Sequence, residues 1–256
     1  MPFKATFAAL LAAVGLWAAI SPAWAEPLTN QLFIAHLHNH LVADRQHWAT
    51  NPTSPEAAWQ VGRAAFRLAD IATNNTQRAT AARIGIAACR QAVARQSNSA
   101  PAHYFLAINL GQLAQAEAPS LFAYRTVFEV EREFIIAAEL DVRFDHAGPA
   151  RTLGLLYYQA PGWPLSVGSK TKAREWLERA AGLAPDHPEN QLNLAEARLK
   201  WRQREEAAAT LRTIEAIWPA AQTSLTGETW EVPWWEWNLR RAALRAQYQR
   251  LYHAAP

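Results

Sequence analysis

Two stretches in the C-terminal half of the chain, "KAREWLERAAGLAP" (172–185) and "EAAATLRTIEAIWP" (206–219), align without a gap at a separation of 34 residues. Ala173 matches Ala207, Leu177 matches Leu211, Ala180 matches Ile214 and Pro185 matches Pro219. The spacing has a physical logic. Apolar residues three and four apart share one face of a helix. Ala where two helices cross lets their axes approach, the larger residue fills the groove beside it, and Pro stops the helix. One such pair cannot bury its apolar face alone, so the units must stack into a solenoid. Strand signals are almost absent, and apolar residues recur at helical spacing along the chain, so the expected fold is all-α.

The 34-residue period resembles that of the tetratricopeptide repeat (TPR), and that resemblance implies first helices that carry a large residue, a Leu-small pair and then an aromatic. "RTLGLLYY" supplies Leu153, Gly154 and Tyr157, "HYFLAINL" supplies Leu106, Ala107 and Leu110, and "AAWQVGRAAF" supplies Trp59 and Phe66. Second helices follow around Cys89 and Ala92 and around Phe134 and Ala137. The A-x3-large-x2-small-x4-P pattern of the second helices resembles the same repeat. Four helix pairs are expected, over about 55–96, 100–141, 146–185 and 187–219. An N-terminal helix and linker (26–54) would precede them, and a Trp-rich segment with a C-terminal capping helix (220–256) would follow. The spacings from Trp59 to Cys89, Leu106 to Phe134 and Leu153 to Ala173 all exceed what the repeat needs. Insertions are therefore expected between the helices of the first three units, where loops of a solenoid often bind. The third is "APGWPLSVGSKTK" (160–172), with Pro161 and Pro164 to end one helix and Ser169 to cap the next.

The N-terminus predicts export. A charged "MPFK" precedes an uncharged run, every residue from Phe7 to Ile20 is apolar or Gly, and "SPAWA" places Ala23 and Ala25 where a signal peptidase reads them. A leader over 1–25, cut after Ala25, is the expectation, with a periplasmic or secreted product. Phe7–Ile20 is too short to span a bilayer, no later stretch is apolar enough, and no Cys follows the apolar run to take a lipid anchor. Cys89 is the single cysteine, so no intramolecular disulfide is possible, and its apolar helical setting predicts a small core residue. The formal charge of +3 comes from Arg residues scattered through every segment, which gives no footprint for nucleic acid.

The stretch from Gly148 to Ala197 is similar to exported bacterial TPR proteins, including the T component associated with periplasmic TRAP-type transporters. The shared features are Gly-Pro-x-Arg-x-Leu-Gly, the Ala-Pro-Gly-Trp-Pro loop, Lys-Ala-Arg, Leu-Ala-Pro-Asp and Glu-Asn. In TPR proteins fixed positions of each first helix line a concave groove. Carried onto this chain, the resemblance implies Tyr104, Arg151, Tyr158, Asn193, Glu196 and Lys200 as groove residues. The mixture is unlike the Lys/Asn set that grips a C-terminal carboxylate in chaperone-binding TPRs. Arg151, after Gly148-Pro149, offers a fork for a carboxylate or backbone carbonyls, and the 160–172 loop would bring Trp163 to the groove edge.

"HLHNH" places His36 and His40 one helical turn apart, a spacing that can serve a metal but supplies only two ligands. An exposed polar helix face is the better expectation. Glu129 and Glu133 share a face near Arg125 and Arg132, which suits solvated ion pairs. No nucleophile–base, metal-hydrolase or phosphate-loop signature appears, so no enzyme activity, cofactor or metal is expected. Trp230, Trp234, Trp235 and Trp237 precede an Arg-rich helix and are expected to seal the end of the solenoid. The sequence thus predicts a non-catalytic exported scaffold that takes a protein or peptide partner in its groove, with an accessory role in solute uptake as its narrower form. The alternative is a small-molecule binder whose cavity is bounded by 160–168, Tyr158 and the C-terminal indoles. A third reading, a metal-dependent hydrolase, requires His36, His40 and Glu129 or Glu133 to converge.

Overall fold

The structure, a computed structural model, describes residues 31–256. The leader expected over 1–25 lies outside the described residues. Among the described residues ten α-helices make up the fold: α1 (Gln31–Thr50), α2 (Pro55–Asp70), α3 (Asn75–Arg95), α4 (Ala100–Ala116), α5 (Leu121–Asp141), α6 (Phe144–Gln159), α7 (Lys170–Leu183), α8 (Pro188–Lys200), α9 (Arg204–Ser224) and α10 (Glu231–Tyr252). A short 3₁₀ turn, Glu228–Trp230, leads into α10. No strand occurs among the described residues. The helices pack as antiparallel neighbours, α2 with α3, α4 with α5, α6 with α7 and α8 with α9, in an all-α, TPR-like solenoid.

Local chemistry sets the helix starts. Ser54, Asn74, Ser99, Ser120 and Ser169 each stand in extended backbone and accept a hydrogen bond from an amide three residues on, capping α2, α3, α4, α5 and α7. Small residues set the helix crossings. A Cβ on Gly62 would lie 2.1 Å from Cys89 Sγ, and one on Gly154 would lie 2.7 Å from Leu177 Cγ, so each glycine allows the close approach of its pair. Cys89 is fully buried, and burial pushes its thiol well above the usual range, which suits a packing residue. Ala173, Leu177, Ala180, Ala207, Leu211 and Ile214, the residues of the 34-residue repeat, are all buried.

Two expectations are corrected. The extra length of the first two pairs is not in inter-helix loops. The connections after α2 and α4 are short, and the length lies in helices of 16, 21, 17 and 21 residues. Only the third pair carries a real loop, residues 160–169, pinched by a bridge between Gly162 and Gly168. Nor does Pro219 end its helix. Although it lacks the amide for an internal bond, α9 continues to Ser224, because Trp218 and Ala221 on either side of it are buried.

Candidate functional site

A cavity of about 460 Å³ lies among the helices. Its walls come from α1, α2, α4, α6, the start of α8 and the segment 228–240 at the start of α10. That size falls within the range of small-ligand sites. Beyond the wall, Trp237, Leu244 and Tyr248 of α10 pack on Leu192, Ala195 and Leu199 of α8 and on Leu211, Ile214 and Trp218 of α9.

Arg240 anchors that packing. Its guanidinium donates to Asn193 Oδ1 at 2.5 Å and to Glu196 Oε2 at 3.3 Å, and also pairs with Glu236 at 3.6 Å. Asn193 and Glu196, expected to face a partner, are therefore engaged by the chain's own C-terminal helix, and neither lines the cavity. Tyr158 also lies outside it, edge-on to Trp201 and under the Lys200 ammonium at 4.4 Å. Trp163 is 89% exposed at the tip of the 160–169 loop and is not part of the cavity wall. The wall expected for a small-molecule cavity is corrected in the same way. Residues 160–168 and Tyr158 take no part, whereas Trp230 and Trp237 do.

Tyr104 and Arg151 do line the cavity. Three consecutive left-handed residues, Asp145, His146 and Ala147, turn the chain into α6, a conformation that costs about 1–2 kcal/mol per residue for side chains other than Gly. Arg151 braces this turn. It donates to the carbonyls of Asp145 and His146 and to Asn190 Oδ1, and it pairs with the carboxylates of Asp145 at 3.3 Å and Glu189 at 3.7 Å. Burial disfavours the charge on Arg151, but Glu189 and the other partners outweigh it and its pKa rises. The fork that the sequence offers for a ligand is thus occupied by the chain itself. Tyr104 donates to Asp145 Oδ2 at 3.0 Å, and burial, then Asp145, pushes its phenol well above the usual range.

The remaining charged residues of the wall are not singled out by sequence reasoning. Asp70, at the end of α2, accepts from Gln112 Nε2 at 3.2 Å and is raised to about 6, chiefly by burial. Glu236 is raised to about 8 by burial, with Glu189, Asp70 and Glu196 adding repulsion against the relief from Arg240. His187 is lowered to about 2 by burial, then by Arg151 and His146, so its ring is neutral. Arg63 and Arg67 stand one turn apart on α2, the helix that also holds Asp70. Neither makes a hydrogen bond or ion pair with any described residue, although Arg63 lies over the Trp59 ring at 5.5 Å. The signal that could have found them is their i, i+4 spacing with Phe66 between, hidden among many scattered arginines.

His36 and His40 are in edge contact at 4.3 Å and border the cavity, with His36 paired to Glu228 at 3.0 Å. Glu129 and Glu133 are elsewhere. Glu129 pairs with Arg90 at 3.0 Å, and Glu133 is buried against His103 at 2.6 Å and Arg132 at 2.9 Å. The convergence required for a metal-dependent hydrolase does not occur. The indoles of the C-terminal segment both cap and line. Trp234 and Trp218 close the end of the solenoid at 5.3 Å, while Trp230 and Trp237 face the cavity around His187.

A family model described as "Regulator of microtubule dynamics protein 1-3" matches residues 35–121, the stretch from α1 to the first residue of α5. None of the curated proteins matches the chain. Among solved structures, a thermophilic TPR protein of Thermus thermophilus, TTC0263, superposes with a TM-score of 0.59 at 16% identity, covering 87% of this chain and 97% of that one. PilF of Pseudomonas aeruginosa superposes with a TM-score of 0.50 at 16% identity, covering 91% and 92%. At such identity the likeness is one of fold.

Proposed function

We propose that this protein is a non-catalytic TPR-like scaffold that receives a short segment of a partner polypeptide in the chamber on its concave side. One observation carries the reading. At the C-terminal end of the solenoid α10 packs on α8 and α9, yet the N-terminal half holds a chamber of about 460 Å³ walled by charged and aromatic side chains from separate helices. A cavity of this size lined by charged and aromatic side chains is the default candidate for a binding site. The leader expected over 1–25 supports an action outside the cytoplasm, and a role beside a solute-uptake system is the finer form of the same proposal. A second reading, a small-molecule binder, is favoured by the contact that joins α1 to the 3₁₀ turn at the cavity wall, His36 with Glu228.

A photo-crosslinking residue at Thr152, in the chamber wall, and another at Trp163, on the outer loop, separate the possibilities. Cross-linking in the native cell extract, with identification of the attached peptide, is expected to give one partner segment through position 152. Attachment through 163 alone would move the site to the loop and overturn the proposal. A small molecule, with no peptide, attached at 152 would replace the scaffold with the second reading.

A further inference from the structure

Most charges in the chamber wall are satisfied internally. Arg151 is bound by Asp145 and Glu189, Arg240 by Asn193 and Glu196, and Glu228 by His36. Asp70 is held by Gln112. Arg63 and Arg67 are the exceptions, since neither has a hydrogen-bond or ion-pair partner among the described residues. They lie at i, i+4 on one face of α2, where like charges repel. Burial, then Arg63, lowers the pKa of Arg67. Asp145 and Asp44 attract Arg67 from α6 and α1, but neither forms an ion pair with it. The fold thus holds two guanidiniums together at a cavity wall with carboxylates nearby but none within ion-pair distance of either among the described residues. Around them stand the rings of Phe66, Phe105 and Trp230.

We propose that the chamber binds an organic oxyanion, a carboxylate or phosphate on an apolar body, with Arg63 and Arg67 as the anion-binding pair and the surrounding rings holding the body. This rests on the chamber being the binding site. Planar guanidiniums suit both oxyanions, since each presents parallel N–H donors to two oxygens. The rings add apolar contact, which free inorganic phosphate would not use.

Isothermal titration of the full chain tests this with 3-phenylpropionate, phenyl phosphate and phenethylammonium. Both anions are expected to bind saturably and the cation not to bind. Arg63→Met and Arg67→Met should each weaken anion binding about tenfold or more, and Arg67→Lys should fall between wild type and Met. Neither arginine makes a hydrogen bond or ion pair within the described fold, so a melting temperature within a few degrees of wild type is expected, and measuring it separates loss of binding from unfolding. The proposal is overturned if neither anion binds, if the cation binds instead, or if the Met variants bind as wild type does. A hexapeptide ending in Phe, with a free or amidated C-terminus, separates this from the scaffold reading. Binding of the small anions with neither peptide sustains the oxyanion site and removes the polypeptide partner. Equal binding of both peptides with no small anion does the reverse.

Discussion

Two regions of the solenoid are built on the same helix-pair scaffold and end in opposite states. In the C-terminal half, α10 packs on α8 and α9, and the polar residues Asn193 and Glu196 are tied to Arg240. In the N-terminal half, α2, α4 and α6 present comparable positions to a chamber, and two arginines on its wall are unpaired among the described residues. A groove residue therefore has no fixed meaning by its place in the repeat. What it does depends on whether the chain returns to cover it.

The largest expected effect breaks the filled half. Trp237 is 1% exposed, sits between His187, Trp230 and Trp234, and packs on α8 and α9. Trp237→Ala should cost about 3–5 kcal/mol in urea unfolding. A loss below about 1 kcal/mol would mean that α10 is not part of the cooperative fold. Next comes a pair of arginines that state the comparison directly. Arg240→Ala removes the partner of three polar side chains in a largely buried setting and should cost about 3 kcal/mol. Arg67→Ala, which breaks no bond within the described chain, should change stability by less than about 0.5 kcal/mol. Equal costs for the two would erase the distinction between the halves.

Much of this architecture is legible in the sequence, and the reason is local. The repeat of Ala173, Leu177 and Ala180 in Ala207, Leu211 and Ile214 encodes a helix crossing that needs small and large residues at fixed places, and such packing is written in spacing. The site is less legible because it depends on distant pieces meeting. Tyr104 and Arg151 follow from their place in the repeat and do reach the cavity, but nothing in "RTLGLLYY" says that Arg151 will brace a left-handed turn six residues before it. Asn193 and Glu196 hold groove positions whose occupant, Arg240, is more than forty residues away in the chain. The length of its loop predicts Trp163 at the groove, and the loop instead points it outward at 89% exposure.

A third prediction concerns pH, where the chamber should depress stability in its ionised state. Glu236 is raised from 4.5 to about 8 by burial foremost. The folded chain keeps a proton there that the unfolded chain releases, so this group lowers stability as pH rises from 4.5 to 8. Asp70 acts in the same sense from 3.8 to about 6. His187 opposes both below 6.5, since the unfolded chain takes a proton that its buried ring refuses. The interval from 6.5 to 8 therefore isolates Glu236 from the other two. Glu236→Gln should gain about 1–2 kcal/mol on wild type across that interval. Urea midpoints that run parallel for the two proteins would show that Glu236 ionises as freely in the folded chain as in the unfolded one.

The smallest effect on stability falls at the cavity wall where α1 meets the turn before α10, and it separates the halves by rate. His36 and Glu228 make that contact, and their side chains are 37% and 54% exposed. A polar contact this accessible is worth about a few tenths of a kcal/mol, so His36→Ala should leave the unfolding midpoint almost unchanged. It should nevertheless loosen this part of the wall, because among the described helices α1 otherwise packs on α2 alone. Hydrogen exchange is expected to quicken in α1 and in residues 228–230 while α8 and α9 keep their protection. If exchange quickened equally in α9, this part of the wall and the filled half would be one cooperative unit. If it quickened nowhere, α1 would be held in place by its packing rather than by the His36–Glu228 pair, and entry would have to occur elsewhere along the wall.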